Sequence, residues 1–226
     1  MPTHKSRMAE AGVCAEQTMT TRRIFPLFST PLYVNNLGNF DKPDLRYLDY
    51  THTTPSGESF AFLTSVDKKV LDRPELALVR GLIEKEIEFC ARDLYALAPN
   101  VEFYITNSWV NIYGRGDQAG AHMHHNSLLS GVLYLQATEA GGEIVFHKDM
   151  QSQVPFPLAI DPDVVSSNIY NCKSWGYKPQ TNDICIFPSA LSHSVLPNGS
   201  DEMRWTLAFN AFVRGTFGAI HQLHLK

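Results

Sequence analysis

The chain has 226 residues, of which 44% are hydrophobic and 19% charged, and its formal net charge is −4 at pH 7. This length suits one domain with a single core rather than two domains and a linker. The negative net charge argues against binding to nucleic acid, and no uncharged apolar run approaches the roughly 18 residues that a membrane span needs.

The first 23 residues are predicted to form a disordered tail. They mix charged and small polar residues and contain no apolar stretch of the kind found in an export signal. The four cysteines are scattered without a Cys-x-x-Cys pair, which indicates reduced thiols rather than a disulfide framework. We therefore expect a cytoplasmic protein with one domain over residues 24–226.

The N-terminal part of this domain contains few strong signals before a single helix. Residues 24–34 are apolar but interrupted by Pro26 and Pro31, which favours an edge strand or an extended segment. A helix is predicted to begin at Asp72, where a capping residue, an early proline and a glutamate follow one another, and to end before Pro99. Its apolar stripe consists of Leu76, Val79, Ile83, Ile87, Cys90 and Leu94.

From residue 101 onward the pattern changes to short apolar or alternating runs separated by turn residues, which predicts about six strands. The runs are VEFYITNSWVNIY, LLSGVLYLQA, GGEIVFH, DICIFPSA, HSVLP and RWTLAFNAFVRG. This order favours a mainly β fold with supporting helices, a jelly-roll or double-stranded β-helix. Residues 151–180 lack a clear period and are a candidate lid. Gly141-Gly142 indicates a hairpin turn, and Gly131 indicates either a close approach of backbone or ligand or a bulge.

Three histidines form the strongest candidate site. His122 and His124 are two residues apart and would point to the same face of a strand, as a pair of metal ligands does. A His-x-His pair alone is equally compatible with a surface cluster. His193 follows a buried-looking strand and can supply a third imidazole from a neighbouring strand.

A second candidate group lies on the run that begins at Arg204. Alternation places Arg204 and Thr206 on one face of this strand, with Trp205 on the other. A buried guanidinium pairs best with a carboxylate, which it binds through two parallel hydrogen bonds. Together with a metal, this arrangement suits an acid that chelates the ion at one end and reaches the arginine at the other.

The order of these elements resembles the iron(II)/2-oxoglutarate-dependent oxygenases, above all their prolyl 4-hydroxylase-like branch. The similarity covers roughly residues 105–215. Within this superfamily, the His-x-His motif is similar to that of a subgroup of oxygenases without settled substrates. The matching elements are Tyr113-Gly-Arg-Gly-Asp-Gln-Ala-Gly-Ala-His122-Met-His124, Tyr134-Leu135, Glu139-Ala-Gly-Gly142, Phe146, His193 and Arg204-Trp205.

The resemblance implies a role for each candidate residue. His122 and His193 would bind Fe(II), and Arg204 would bind the far carboxylate of 2-oxoglutarate with help from Thr206 and the phenol of Tyr113. His124 stands where the family usually has an aspartate, so the expected two-histidine, one-carboxylate triad would become three imidazoles. The site would then carry one more positive charge, which weakens its hold on a hard cation.

Several other polar residues are weaker candidates for ligands or catalytic groups. His147-Lys148-Asp149 is itself a His-x-Asp, but it follows a strand where the resemblance implies a loop, so we expect it at the rim of the pocket. His125 would point away from His122, and Asp117 is interpreted as a turn residue. The remaining histidines, interpreted as surface, core or tail residues, are His4, His52, His221 and His224.

The leading interpretation is a cytoplasmic 2-oxoglutarate-dependent dioxygenase that oxidises, by hydroxylation or a related reaction, a small-molecule or amino-acid-like substrate. Its cofactors would be Fe(II) and 2-oxoglutarate, and O2 would be a further reactant. We expect neither nucleic acid nor a membrane as a partner. A homodimer is possible. Two alternatives remain. One is a cupin-like dioxygenase with three histidines and no keto acid, against which the buried arginine argues. The other is a metal- or ligand-binding barrel without turnover.

Overall fold

A computed structural model describes residues 23–27, 29–53, 60–148, 163–218 and 223–225. Most of the predicted tail and the first part of the predicted lid lie outside these ranges. None of the helices within them has the length and apolarity that crossing a membrane requires.

Two antiparallel sheets form the body of the protein, and together they confirm the predicted double-stranded β-helix. In spatial order, the larger sheet consists of β1 (Tyr33–Asn36), β10 (Asp183–Pro188), β7 (Leu129–Gln136), β12 (Arg204–Phe217), β5 (Val101–Tyr113), β4 (Leu63–Ser65) and β2 (Tyr50–His52), and β13 (Leu223–Leu225) also pairs with β12. The smaller sheet consists of β3 (Phe60–Ala61), β6 (Gln118–His122), β11 (His193–Val195), β8 (Ile144–His147) and β9 (Ser174–Tyr177). All six runs predicted from residue 101 onward contain a strand.

The helix α1 spans Ala77–Phe89 and therefore begins five residues later than predicted from Asp72. Two single turns of 3-10 helix, Val70–Asp72 and Pro74–Leu76, precede it. Arg73 lies between these turns in an extended conformation, with φ −73° and ψ 135°. A residue before proline is disfavoured in the helical region, so Pro74 interrupts the helix that the capping pattern predicted.

A π-helical turn at Cys90–Leu94 continues α1, and the amide of Tyr95 donates to the carbonyl of Cys90 at 2.9 Å. The wider turn rotates the chain relative to the regular helix. Leu94, predicted as the last member of the apolar stripe, is consequently 41% exposed, whereas the other five members are buried.

The two faces of the larger sheet have different neighbours. One face packs against the buried stripe of α1 and forms the main hydrophobic core, to which the strands contribute Val110, Leu133, Ile184, Leu207 and Phe209. Because side chains alternate along a strand, the next residues on β5, β7, β10 and β12 face the smaller sheet. Apolar burial thus fixes the register of the strands, and the register fixes which side chains line the space between the sheets.

The predictions for the connecting segments meet mixed outcomes. The first segment forms a strand only from Tyr33, where β1 pairs at the sheet edge with β10. Gly141-Gly142 is not a hairpin turn, because the strands on either side, β7 and β8, lie in different sheets. Gly131 is a site of close approach, but to a side chain: a Cβ there would come within 2.8 Å of ring atoms of Phe209.

The described part of the predicted lid is not an irregular loop throughout. Residues 174–177 form β9, which pairs with β8 at the edge of the smaller sheet and so gains regular hydrogen bonds. Trp175, which lies on β9 within this segment, is 49% exposed. It is not among the residues that line the cavity described below.

Candidate metal centre

A cavity of about 100 Å³ lies between the two sheets and contains all six side chains predicted for the site. Its lining is mostly apolar or aromatic, and it includes Phe62, Val132, Ile144, Phe187 and Val195. The predicted site residues that line it are His122, His124, His193, Tyr113, Arg204 and Thr206. The fold therefore brings together residues that are up to 93 positions apart in the sequence, from Tyr113 to Thr206.

Strand register explains how the histidines meet. His122 is the last residue of β6 and lies directly opposite His193, the first residue of β11. His124 follows two residues beyond the end of β6, and its backbone amide donates to the carbonyl of Ser189 at 3.0 Å. The potential ligand atoms of the three rings all lie within 4.8 Å of one another. The three rings are therefore close enough to be candidate ligands of one metal ion.

Two of the rings are held in a tautomer that suits a metal. Nδ1 of His122 lies 2.8 Å from the carbonyl oxygen of Gly120, and Nδ1 of His193 lies 2.9 Å from that of Leu191. Because a carbonyl oxygen only accepts, Nδ1 carries the proton in both rings. Nε2 then keeps its lone pair toward the other imidazoles, as a metal ligand requires.

Burial keeps the histidines in their neutral form. It lowers the pKa of His193 to about 3 and that of His124 to about 4, and neighbouring imidazoles lower both further. Burial also lowers the pKa of His122, although the bond to Gly120 opposes this shift. All three rings are therefore neutral near pH 7, and neutral imidazole is the form that binds metals.

The opposite end of the cavity is formed by Arg204, which is 1% exposed. One of its nitrogens, Nη1, donates to the backbone carbonyls of Gly141 and Gly142. Its guanidinium carbon also lies 4.2 Å from the ring centroid of Tyr113, directly across the strand pair. The turn predicted only as a hairpin thus orients the arginine, and Gly142 adopts a φ of +82° there.

Among the residues that the structure describes, the other donors of Arg204 have no partner. Nε and Nη2 are buried without a hydrogen bond, and within the described ranges no carboxylate forms an ion pair with the guanidinium. Burial lowers the pKa of this group, yet an arginine stays charged in proteins. A buried cation with two free donors fits a carboxylate that accepts both of them.

Two hydroxyl groups accompany this cation. Thr206 is buried, and the one hydrogen bond from its hydroxyl to a described residue is a long one of 3.4 Å to the carbonyl of Asn111. Burial raises the pKa of Tyr113 to about 12, so the phenol stays protonated and is able to donate. The arginine, threonine and tyrosine together offer hydrogen bonds suited to an anion.

Sequence reasoning missed two cavity residues on β5, Trp109 and Asn111. Neither Trp109 nor Asn111 is among the residues predicted for the site. Both alternate with Tyr113 along the strand, as Trp-x-Asn-x-Tyr, so they share its face. Once Tyr113 was assigned to the site, this period of two was the signal that could have found them.

The residues set aside as ligands lie elsewhere. His147 is adjacent to Phe146, the strand partner of His193, and therefore faces the other side of the smaller sheet, where its Nε2 lies 2.8 Å from the hydroxyl of Ser194. His125 is exposed, and Asp117 accepts the amide of Gly114 at 2.8 Å, as a turn residue does. His52 and His224 are exposed, whereas His4, Asp149 and His221 lie outside the described residues.

Comparisons with known proteins agree with this geometry. Residues 107–210 match the model of a family described as "Putative 2OG-Fe(II) oxygenase". No curated protein matches the chain.

Solved structures with 13–15% sequence identity share the fold. One is a 2OG-Fe(II) oxygenase-family oxidoreductase from Burkholderia pseudomallei, with 15% identity, a TM-score of 0.51, and coverage of 72% of this chain and 71% of that one. HygX from Streptomyces hygroscopicus, crystallised with nickel and 2-oxoglutarate, has 13% identity and a TM-score of 0.54. The match covers 80% of this chain and 82% of HygX. The epimerase SnoN from nogalamycin biosynthesis has 13% identity and a TM-score of 0.53. The match covers 74% of this chain and 68% of SnoN.

Proposed function

Residues 107–210 match the model of the 2OG-Fe(II) oxygenase family, and on that premise we propose that His122, His124 and His193 bind Fe(II) while Arg204 binds 2-oxoglutarate. This match confirms the predicted superfamily and, with it, the enzyme class and the two cofactors that the family is named for. The observation that carries the residue assignment is the pair of unpartnered, buried donors on Arg204, across the cavity from three neutral imidazoles.

The protein's own contribution is to bind and orient. The three imidazoles would hold the metal and leave positions open for the keto acid and O2. The far carboxylate of 2-oxoglutarate would accept from Nε and Nη2 of Arg204, with the hydroxyl groups of Thr206 and Tyr113 nearby. With Fe(II) and 2-oxoglutarate bound, the site supplies an oxidation in which O2 and the keto acid give succinate and CO2 and one oxygen atom enters the substrate.

The walls of the cavity would exclude water. Phe187 contacts His193 edge-on, with ring centroids 4.8 Å apart, and Phe62 stacks on Tyr113 at 4.7 Å. Apolar surroundings strengthen the interaction between the guanidinium and a bound carboxylate. They also limit the unproductive access of water to the metal.

For the substrate, we propose a small molecule or an amino-acid-like compound that is hydroxylated or otherwise oxidised. The small cavity supports this class, and the net charge of −4 supports the expectation that neither nucleic acid nor a membrane is a partner. The single domain over residues 24–226, the lid and the homodimer stay predictions. The free thiols of Cys90, Cys172 and Cys185 support a cytoplasmic location.

Succinate formation tests the proposed reaction. We expect the protein, incubated in air with Fe(II) and 2-oxoglutarate, to form succinate only when both are present, because turnover without a substrate still consumes the keto acid. Metal-dependent O2 consumption that 2-oxoglutarate does not change would contradict this and favour the cupin-like alternative.

The His124→Asp variant separates the third interpretation from the other two. If wild type is silent and this variant forms succinate, the protein is a barrel that has lost turnover with the loss of the carboxylate. If wild type is active and the variant loses activity, the third imidazole is used.

A further inference from the structure

The three imidazoles of the candidate metal centre differ in how they are held. His122 and His193 each bond through Nδ1 to a backbone carbonyl two residues earlier. The ring of His124 makes no such bond to any described residue, and its segment has already left strand β6. The hydrogen bond that anchors His124 to the described residues comes from its backbone amide, which donates to the carbonyl of Ser189. Something else must restrict rotation of this ring if it is to meet the other two.

Trp109 is the neighbour of His124 that does not belong to the imidazole cluster. The two ring centroids are 5.7 Å apart with an interplanar angle of 39°. The other ring neighbours of His124 are His193 at 5.2 Å and His122 at 5.3 Å, which are themselves the predicted ligands. The indole thus contacts His124 from outside the imidazole cluster. Aromatic rings in contact at such distances stabilise one another's orientation.

The indole is itself fixed by Asn111. With its amide oriented so that both ends are satisfied, Asn111 accepts a hydrogen bond from Nε1 of Trp109 at 3.2 Å. Its nitrogen then donates to the hydroxyl of Thr64 at 2.9 Å and to the carbonyl of Val110 at 3.2 Å. Asn111 is 8% exposed, so these bonds are shielded from water. Buried amides that are fully bonded rigidify their neighbours.

We propose that Trp109 is the positioning residue of His124, held in place by Asn111, and takes the role that a backbone carbonyl has for His122 and His193. This inference rests on the metal centre of the proposed function. It assigns a reason to the Trp-x-Asn-x-Tyr alternation of β5: the first residue orients a ligand, the second fixes the first, and the third contacts Arg204. Groups that orient a metal ligand typically change metal affinity by about 10- to 100-fold when replaced.

Calorimetric titration with Co2+ tests the inference without any requirement for turnover. We expect Trp109→Ala to weaken Co2+ binding by about 10- to 100-fold and to alter the visible absorption of the bound ion. Trp109→Phe, which keeps a ring but loses the indole N–H, should weaken binding less. The matched control is Trp205→Phe, which replaces the same residue type on the neighbouring strand β12. Trp205 packs against the main core and does not face the cavity.

A double-mutant cycle distinguishes positioning from a general structural effect. In the His124→Ala background, Trp109→Ala should cause no further loss of Co2+ affinity, because its ligand is gone. Equal losses in both backgrounds, or unchanged affinity and spectrum in Trp109→Ala and Trp109→Phe, would overturn the inference. If Trp109→Ala does not fold, the same cycle is run with Trp109→Phe.

Failure of the proposed function would look different from failure of this inference. Wild type that does not bind Co2+ at all would contradict the metal centre itself. Wild type that binds Co2+ and loses affinity in His124→Ala, but not in either Trp109 variant, would contradict the positioning role alone.

Discussion

Replacing Arg204 by methionine should weaken 2-oxoglutarate binding by about 100-fold or more while leaving the fold intact. Two hydrogen bonds from a charged donor contribute about 1.5–3 kcal/mol each, and 1.4 kcal/mol corresponds to a factor of ten in affinity. Calorimetric titration of the metal-loaded protein with 2-oxoglutarate measures this loss. Metal affinity in the absence of 2-oxoglutarate should be unchanged, because the arginine is at the other end of the cavity.

The same variant should have unusual stability for a change at a buried residue. Most substitutions of fully buried side chains destabilise a protein, but this one removes a buried charge that pairs with no carboxylate in the described part of the chain. Replacing buried ionic groups by apolar residues of similar volume is often neutral or stabilising. The loss of the hydrogen bonds to Gly141 and Gly142 opposes this gain, so we expect the free energy of unfolding, measured in denaturant without 2-oxoglutarate, to change little.

Arg115→Met is the matched control for this prediction. Arg115 is exposed and pairs with Asp201 on the surface, so its replacement should change neither ligand affinity nor stability by more than a few tenths of a kcal/mol. Undiminished binding of 2-oxoglutarate to Arg204→Met would exclude the arginine as the carboxylate site. A strong loss of stability in that variant would indicate a structural role instead.

Replacing His193 by alanine should reduce Fe(II) or Co2+ affinity by about 100-fold or more. A structural metal site gains about 10–16 kcal/mol from its four ligands, so one ligand of three is worth several kcal/mol. His193 is 4% exposed, and its Nδ1 bond to Leu191 fixes the ring toward the other imidazoles. Titration under anaerobic conditions, which keeps Fe(II) reduced, measures the effect.

His147→Ala provides the comparison for His193→Ala. His147 lies on the neighbouring strand of the same sheet but faces its other side, where it contacts Ser194. Its replacement should leave metal affinity within about twofold of wild type. Equal losses in both variants would show that the site has been assigned to the wrong face of the smaller sheet.

Much of the fold could be predicted because its signals are local. Alternation of apolar and polar residues located six strands, and it placed Arg204 and Thr206 on one face, opposite Trp205. The resemblance supplied the pairing of distant elements, which no local pattern contains. His122 and His193 are 71 residues apart in the chain, yet they face one another only because β6 and β11 are neighbours in the smaller sheet.

The features that sequence reasoning missed depend on contacts or on local strain. Pro74 delayed the start of α1 because it forces Arg73 into an extended conformation, although the capping pattern was present. Gly141-Gly142 has the composition of a hairpin turn, but its carbonyl groups bind Arg204 across the space between the two sheets. Asn111 was overlooked because an asparagine within a strand has no distinctive pattern until its partners are known.

An anaerobic titration tests most directly whether three imidazoles and one guanidinium form a single site. Fe(II) is added first and 2-oxoglutarate second, and the weak visible absorption band produced when a keto acid chelates the metal is recorded. We expect the band in wild type only after both additions, its absence in His193→Ala, and its appearance at much higher 2-oxoglutarate concentration in Arg204→Met. Wild type that binds Fe(II) but develops no band with 2-oxoglutarate would contradict this description of the site.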